Sequence, residues 1–180
     1  PNRMARLTAV LLAAALAAPA AAKERSEIPE AYKWNLDELY PSEAAWEQAR
    51  LALAARLPTL AAHKGHLGDS AGALLAALQQ KSALELDLVR LYVYASARSD
   101  EDTRAARPRE LQQGAQQLFV DFGAALSWLQ PELLTLDPAK VAGFLASEPR
   151  LAPWRFFLED TLRGKPHTLD AAGEELLAEA

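Results

Sequence analysis

Cysteine is absent from all 180 residues, and its absence removes several classes of site at once. Without thiols the chain can form no disulfide, no thiolate metal site and no cysteine nucleophile. No Gly-x-Ser-x-Gly elbow and no glycine-rich phosphate loop occur either. The compartment stays open, because a helical bundle can be exported without disulfides.

β-branched residues are few, and neither Asn-Gly nor Asp-Gly hairpin dipeptides occur. Alanine and leucine, the strongest helix formers, supply most of the hydrophobic 51%. That fraction is enough for one core of ordinary size. The sequence therefore predicts an all-α fold of about six helices, two of them long and antiparallel.

A cluster of basic residues is also missing, and the formal net charge is −5. Arg3 and Arg6 are the only charged residues before Lys23, so the rest of the chain is more acidic still. Phosphate backbones require concentrated lysine and arginine. Nucleic acid is therefore not an expected partner.

The first 22 residues have the pattern of a signal peptide. Met4, the only methionine, is followed by Arg6, an apolar run from Leu7 to Ala18, and an Ala-x-Ala site ending at Ala22. The alternative is a membrane anchor, but the run is shorter than the roughly 20 residues that span a bilayer. We expect cleavage after Ala22 and export to the periplasm or the medium, with no stable membrane anchor.

Residues 23–41 are predicted to form an extended arm. Two prolines interrupt helix formation there. Three large aromatic residues, Tyr32, Trp34 and Tyr40, are expected to pack it onto the body.

Residues 42–165 contain the predicted helical domain, because caps and apolar stripes follow one another there. Ser42, Ser70 and Asp137 are N-cap candidates, and proline follows Asp137 at the first helical position. Apolar residues recur at spacings of three and four, as on a helix that buries one face. The main stripes are Trp46, Ala49, Leu53 and Leu57; Leu74, Leu78, Leu84, Leu88, Leu91 and Ala95; and Leu111, Ala115, Leu118, Phe122, Ala125 and Leu129.

The stretch 91–103 is predicted to join the two long helices. The acidic run from Asp100 to Thr103 is expected to end the first of them and to start the second, because acidic side chains favour a helix N-terminus. That helix should reach about Gln130, with Pro108 bending it or shifting its start. Residues 166–180 follow, where Thr168 is predicted to cap a further helix. No C-cap follows, so we expect a truncated chain that continues toward another domain.

The histidines are the first candidates for a metal site. His63 and His66 have helical ligand spacing, but Gly65 between them favours an exposed turn and no third ligand follows. His167 lies at a helix junction, where a structural contact explains it better than catalysis.

Two carboxylate pairs could indicate acid–base chemistry. Asp100 with Asp102, and Glu174 with Glu175, lie near predicted helix starts or exposed turns. Capping and solvation explain them better. The sequence thus predicts no catalytic, cofactor-binding or metal-binding residue in this chain.

Five segments resemble the N-terminal helical domain of oligoendopeptidase F-like zinc metallopeptidases, a thimet oligopeptidase-type family. They occur in the family's order and approximate spacing, spanning about residues 28–180: Tyr32 to Ser42, Leu91 to Thr103, Leu129 to Leu134, Leu158 to Asp160, and Lys165 to Leu169.

The resemblance implies the N-terminal part of a larger helical peptidase that cleaves oligopeptides inside a channel. Its zinc is bound by an H-E-x-x-H helix and a downstream glutamate, with the motif glutamate activating water. No H-E-x-x-H occurs here, so no residue is carried over. The implied partners are oligopeptide substrates and the chain's own downstream catalytic domain, and the implied role of this region is to narrow access to the active site.

The chain departs from the family pattern in two ways. Pro108 falls where an uninterrupted helix is usual, and a signal peptide is atypical. The alternative is a non-catalytic helical interaction module of the cell envelope. The reading frame beyond Ala180 would distinguish the two.

Overall fold

A computed structural model describes residues 25–165, and its backbone contacts divide the chain after Asn35. The described part of the first unit holds two short 3-10 helices, Arg25–Glu27 and Glu30–Tyr32. The side chains of Tyr32 and Trp34 are 81% and 68% exposed, and the packing of the arm onto the body stays a prediction. The signal peptide predicted over residues 1–22 lies outside the described residues.

The second unit, from Leu36 onward, is helical. Its α-helices within the described residues are α1 (Glu43–Arg56), α2 (Ala71–Glu101), α3 (Ala106–Ala125), α4 (Leu129–Thr135), α5 (Pro138–Ser147) and α6 (Arg155–Gly164). Three 3-10 helices connect or precede them: Leu36–Glu38, Leu57–His63 and Pro149–Trp154. The all-α prediction is confirmed, while the helix predicted after Thr168 falls outside the range described.

Three of the predicted helix starts, at Ser42, Ser70 and Asp137, are confirmed by side-chain hydrogen bonds. Ser42 and Ser70 each accept a backbone N–H through Oγ at 3.1 Å, and Asp137 accepts one through Oδ1 at 2.8 Å. Each bond satisfies an N–H that the first helical turn leaves without a partner. Pro58 ends α1 as expected, since the chain tightens into a 3-10 helix from Leu57.

α2 is the axis of the second unit because it contributes to two separate hydrophobic cores. Its 31 residues span about 46 Å at 1.5 Å per residue. Its C-terminal half packs with α1 and α3 into the first core: Trp46, Leu53, Leu57, Leu60, Leu84, Leu88, Leu91, Tyr94, Ala95, Leu111, Ala115, Leu118 and Phe122. Its N-terminal half packs with α4, α5 and α6 into the second core: Leu67, Leu74, Leu75, Ala77, Leu78, Leu129, Leu133, Val141, Leu145, Leu151 and Leu158.

The two long helices, α2 and α3, run antiparallel, as predicted. Tyr92 meets Phe119 edge to face with ring centroids 5.4 Å apart, and further along α2 Ser96 meets Gln112 at 3.4 Å. Residue numbers therefore rise on one helix as they fall on the other. Burial of Trp46 is completed by its indole N–H, which donates to the Leu91 carbonyl at 2.9 Å.

The junction between α2 and α3 differs from the prediction. Asp100 and Glu101 lie in the last turn of α2, Asp102 is its C-cap, and α3 begins only at Ala106. The acidic run therefore ends one helix, as predicted, but does not start the next. Negative charge is unfavourable at a helix C-terminus, and Arg98 offsets it by donating to Glu101 at 2.8 Å.

α3 also ends earlier than expected. Pro108 lies in the first turn of α3, where backbone N–H groups have no partner within the helix. The N–H that proline lacks therefore costs no hydrogen bond there, and the proline shifts the start of the helix. At the other end the chain turns after Ala125 and restarts as α4 at Leu129. Pro131 falls in the first turn of α4, where its missing N–H costs no hydrogen bond within the helix.

Candidate functional site

The two nearby histidines do not converge on a common point. His63 ends a 3-10 helix, and its Nε2 lies 2.6 Å from the side-chain oxygen of Gln80, which can only accept a hydrogen bond. His66 pairs instead with Asp69, with 2.7 Å between Nδ1 and Oδ2. Gly65 between them has φ +85°, the left-handed conformation that breaks a helix. The predicted turn is confirmed.

The acidic pair in the junction is likewise structural. Asp102 accepts from the backbone N–H and from the guanidinium of Arg104, both at 2.9 Å. These hydrogen bonds lower the pKa of Asp102 from its ordinary value of 3.8 to about 2. A carboxylate held in its ionised form this firmly is a poor proton donor or acceptor near neutral pH.

The remaining candidates, His167, Glu174 and Glu175, lie outside the described residues. Within residues 25–165, no group of three or more His, Cys, Asp or Glu side chains is placed to hold a metal ion. Zinc, which the family resemblance implies, therefore has no fitting ligand set in the described part of this chain. No helix in the same part has the length and hydropathy to cross a membrane.

Glu132 is a structural anchor that the sequence analysis missed. One carboxylate oxygen accepts the backbone N–H of Gly65 at 2.7 Å, and the other accepts that of Leu67 at 2.8 Å. The carboxylate thereby fixes the turn before α2 onto α4 and helps to bury Leu67 completely. Charge-assisted bonds of this kind are about twice as strong as neutral ones. No local sequence signal links Glu132 to Gly65 and Leu67, which lie 67 and 65 positions away along the chain, so only the fold reveals the contact.

An apolar surface runs along the outer face of α2 and α3, on the side away from the first core. We define this outer face by five exposed side chains: Leu86, Val89, Val93, Phe119 and Val120. Leu86, Val89 and Val93 share one side of α2 because they are three and four residues apart. The contact between Tyr92 and Phe119 joins that side to α3.

A groove of about 300 Å³ lies between α5 and α6. Its floor is apolar, and two arginines and a glutamate, Arg155, Arg163 and Glu159, stand along it. At one end, the Lys165 ammonium donates to the Leu136 carbonyl at 3.1 Å, joining the end of α6 to the start of α5. No ligand chemistry was predicted here from the sequence.

The polar groups described so far serve caps, turns and ion pairs. The geometry thus defines a class: a helical framework domain with exposed apolar surfaces. A family model described as Oligopeptidase F matches residues 132–180.

Relatives extend the match to most of the chain. Group B oligopeptidase PepB of Streptococcus agalactiae is 35% identical over 156 residues, which are 87% of this chain and 26% of that protein. Oligopeptidase PepF of Bacillus subtilis is 34% identical over 157 residues, 87% of this chain and 23% of PepF.

Solved structures agree with these sequence matches. A putative peptidase from Chlamydophila abortus superposes with a TM-score of 0.75 at 31% identity, over 87% of this chain and 27% of that one. Oligoendopeptidase-F from Enterococcus faecium gives 0.64 at 29% identity, over 76% of this chain and 27% of that one. The chain belongs to the oligopeptidase F family and corresponds to its N-terminal region. It spans about a quarter of the length of these relatives.

Proposed function

We propose that this chain is the N-terminal domain of an exported zinc metalloendopeptidase and that it limits which oligopeptides reach the catalytic part. The observation that carries the proposal is the alignment with oligopeptidases over 87% of the chain. Hydrolysis itself is assigned to a part of the protein beyond these residues, because this sequence contains no H-E-x-x-H.

The outer face of α2 and α3 supports a role in substrate access. Its five side chains are apolar and exposed, although each lies on a rigid helix whose opposite side is fully packed. A rigid apolar wall beside a channel admits an extended peptide and excludes a folded protein on steric grounds. The wall then acts by shape and desolvation and contributes no reacting group.

The first experiment tests whether this part of the protein hydrolyses peptides by itself. Purified residues 23–180 are incubated with a quenched fluorescent peptide, and bound zinc is measured by elemental analysis. We expect neither cleavage nor stoichiometric zinc. Cleavage by this piece alone would overturn the assignment of hydrolysis to another part of the protein.

A chimera tests the access role. The region of Bacillus subtilis PepF that aligns with residues 25–165 is replaced by those residues, and kcat/KM is measured for a short and a long unstructured peptide. Val89→Glu with Val93→Glu should change the ratio of the two kcat/KM values by about tenfold, equivalent to about 1.4 kcal/mol. Leu51→Glu is the matched control, since Leu51 is exposed on α1 away from the outer face. Equal ratios in all chimeras would refute a role in access.

Export rests on the pattern from Met4 to Ala22 alone. N-terminal sequencing of the protein recovered outside the cytoplasm should give Lys23 as the first residue. Recovery of protein that still begins at Met4 would contradict the cleaved signal peptide.

A further inference from the structure

We propose that a pocket between α1 and α2 binds a small carboxylate that carries a short, branched apolar group. The pocket has a volume of about 270 Å³, and Tyr40, in the loop before α1, also lines it. The inference concerns binding by this chain itself and stands independently of the proposed peptidase role. It rests on the apolar lining of the pocket, on its charged side chains and on the tyrosine hydroxyl.

The apolar part of the lining is rigid. Leu53 and Leu91 line the pocket, and both are buried members of the first core. Ala49 and Ala52 of α1 also line it, and their short side chains leave open the space that longer ones would fill. The volume is near the lower limit of small-molecule sites, roughly 300 Å³. The ligand must therefore be small, with an apolar group of about the size of a leucine side chain.

Three charged side chains line the pocket and give it one net positive charge: Arg56, Asp87 and Arg90. Arg56 donates to Asp87 at 2.7 Å, so the carboxylate already has its partner on the neighbouring helix. Arg90, by contrast, takes part in no hydrogen bond or ion pair within residues 25–165. Its guanidinium is a planar fork of donors that matches the two oxygens of a carboxylate. A single net positive charge balances such a monoanion better than a phosphate dianion.

Tyr40 supplies a neutral donor beside Arg90. Its ring meets that of Tyr94 edge to face, with centroids 5.5 Å apart, and this contact fixes it against α2. Burial raises the pKa of Tyr40, and the charges of Arg90 and Asp87 also act on its ionisation, so the hydroxyl lies near both. The hydroxyl therefore stays protonated at neutral pH and can donate to a carboxylate oxygen.

These groups together define the chemistry of the ligand. The leucines and alanines suit a branched hydrocarbon group, while Arg90 and Tyr40 suit the carboxylate next to it. Two sources share this chemistry: the last residue of a peptide that ends in an apolar amino acid, and a free branched-chain acid. The peptide end differs from the free acid by the amide next to its carboxylate.

Titration of the whole isotope-labelled chain, followed by NMR, tests the proposal. The probes are N-acetyl-leucine, 4-methylpentanoate, and N-acetyl-leucine amide, which lacks the carboxylate. We expect the two acids to shift the Nε–H signal of Arg90 with dissociation constants on the order of 1 mM, and the amide to bind at least about tenfold more weakly. Tighter binding of N-acetyl-leucine identifies a peptide end as the source, and tighter binding of 4-methylpentanoate identifies the free acid. Either result supports a carboxylate pocket.

Two substitutions locate the binding in this pocket. Arg90→Ala should weaken binding of the preferred acid about tenfold, and Arg90→Lys should weaken it less, because lysine keeps the charge without the fork. The matched control Arg150→Ala removes the same charge from an arginine that does not line the pocket. Ala52→Phe fills the pocket without changing its charge and should abolish binding. Ala55→Phe adds the same ring to an exposed position of α1 outside the lining.

Circular dichroism verifies that all five variants remain helical. Equal affinity for the amide and the acids would overturn the proposal, because the carboxylate would then not be recognised. Equal binding by Arg90→Ala and Arg150→Ala, or by Ala52→Phe and Ala55→Phe, would overturn it as well, because the acid would then bind elsewhere.

Discussion

The two cores of the molecule are built on opposite halves of one helix but in different ways. The first core joins three long helices through regular apolar stripes and includes Trp46 and Tyr94. The buried residues of the second core are all Leu, Ala or Val, and there the N-terminal half of α2 packs with short helices that are separated by caps and prolines. Long helices can be positioned by packing alone, whereas short helices need added fixation of their ends, because isolated short helices are marginal in water.

The contrast extends to polar contacts. In the first core one indole N–H bonds a carbonyl of α2, which completes a packing arrangement already set by the stripes. In the second region Glu132 binds two backbone N–H groups across the fold, and Trp154 donates to Ser82 of α2 at 3.1 Å. Polar contacts thus complete the packing of Trp46 in the first region, and in the second they fix the turn before α2 and the 3-10 helix that precedes α6.

The largest expected effect tests whether the two cores unfold together. Trp46→Ala in the first core should lower the free energy of unfolding by about 3–5 kcal/mol, and Leu133→Ala in the second by about 2–5 kcal/mol. Because both cores share α2, each variant should still unfold in one urea transition with an unchanged m-value. A two-step transition in the Leu133→Ala variant alone would show that the second core is a separate cooperative unit.

A smaller loss of stability is expected when Glu132, which anchors the turn before α2 in the region of the second core, is replaced. Glu132→Ala leaves the N–H groups of Gly65 and Leu67 without their carboxylate and should cost about 1–3 kcal/mol in urea unfolding. Glu159→Ala removes an exposed ion pair on α6 and should change stability by less than about 1 kcal/mol. Equal losses in the two variants would contradict the special role of Glu132.

The caps should contribute less again and similarly in both regions. Ser42→Ala at the start of α1 and Ser70→Ala at the start of α2 should each cost about 1 kcal/mol. Thermal unfolding measures both, with Ser147→Ala as a control that alters a serine outside an N-cap. If Ser70→Ala lowers the stability clearly more than Ser42→Ala does, then α2, which both cores share, depends on its N-cap more than its packing suggests.

The smallest effect on stability is expected when the pH is lowered. Hydrogen bonds from Arg104 and Arg150 lower the pKa values of Asp102 and Glu148, respectively, to about 2. A carboxyl whose pKa is lower in the folded state contributes stability above its unfolded pKa and loses it as pH falls through the folded value. Stability should therefore decline between about pH 4 and pH 2, and Asp102→Asn should flatten this decline. Both carboxyls are partly exposed to solvent at the surface, so the melting temperature should shift only slightly. An identical pH profile in the Asp102→Asn variant would show that Asp102 does not cause the decline.

Sequence reasoning succeeded where the signal was local and periodic. The apolar stripe from Leu74 to Ala95 is buried along its whole length, and the N-caps Ser42, Ser70 and Asp137 bond as expected. It failed at the ends of the long helices. An acidic run suits a helix start by its dipole, yet Arg98 makes the same run acceptable at the end of α2.

The candidate site shows the same division. The turn at Gly65 could be read from the glycine itself, and the structural role of the histidines followed from it. The outer face of α2 and α3 could not be read in the same way, because Leu86, Val89 and Val93 look in sequence like further core residues. Only packing determines which of two apolar sides of a helix faces a neighbour.

The sequence by itself determined the helical class, the helix starts at Ser42, Ser70 and Asp137, and the three main apolar stripes, because propensity, capping and 3.6-residue periodicity act over a few neighbouring residues. The family resemblance rested on five sequence segments. Tertiary structure alone decided that α2 serves two cores, that Glu132 binds the turn before it, and that an apolar face and an arginine-rimmed groove are left exposed. These features depend on which distant segments meet, and that choice is made by the packing of the whole chain.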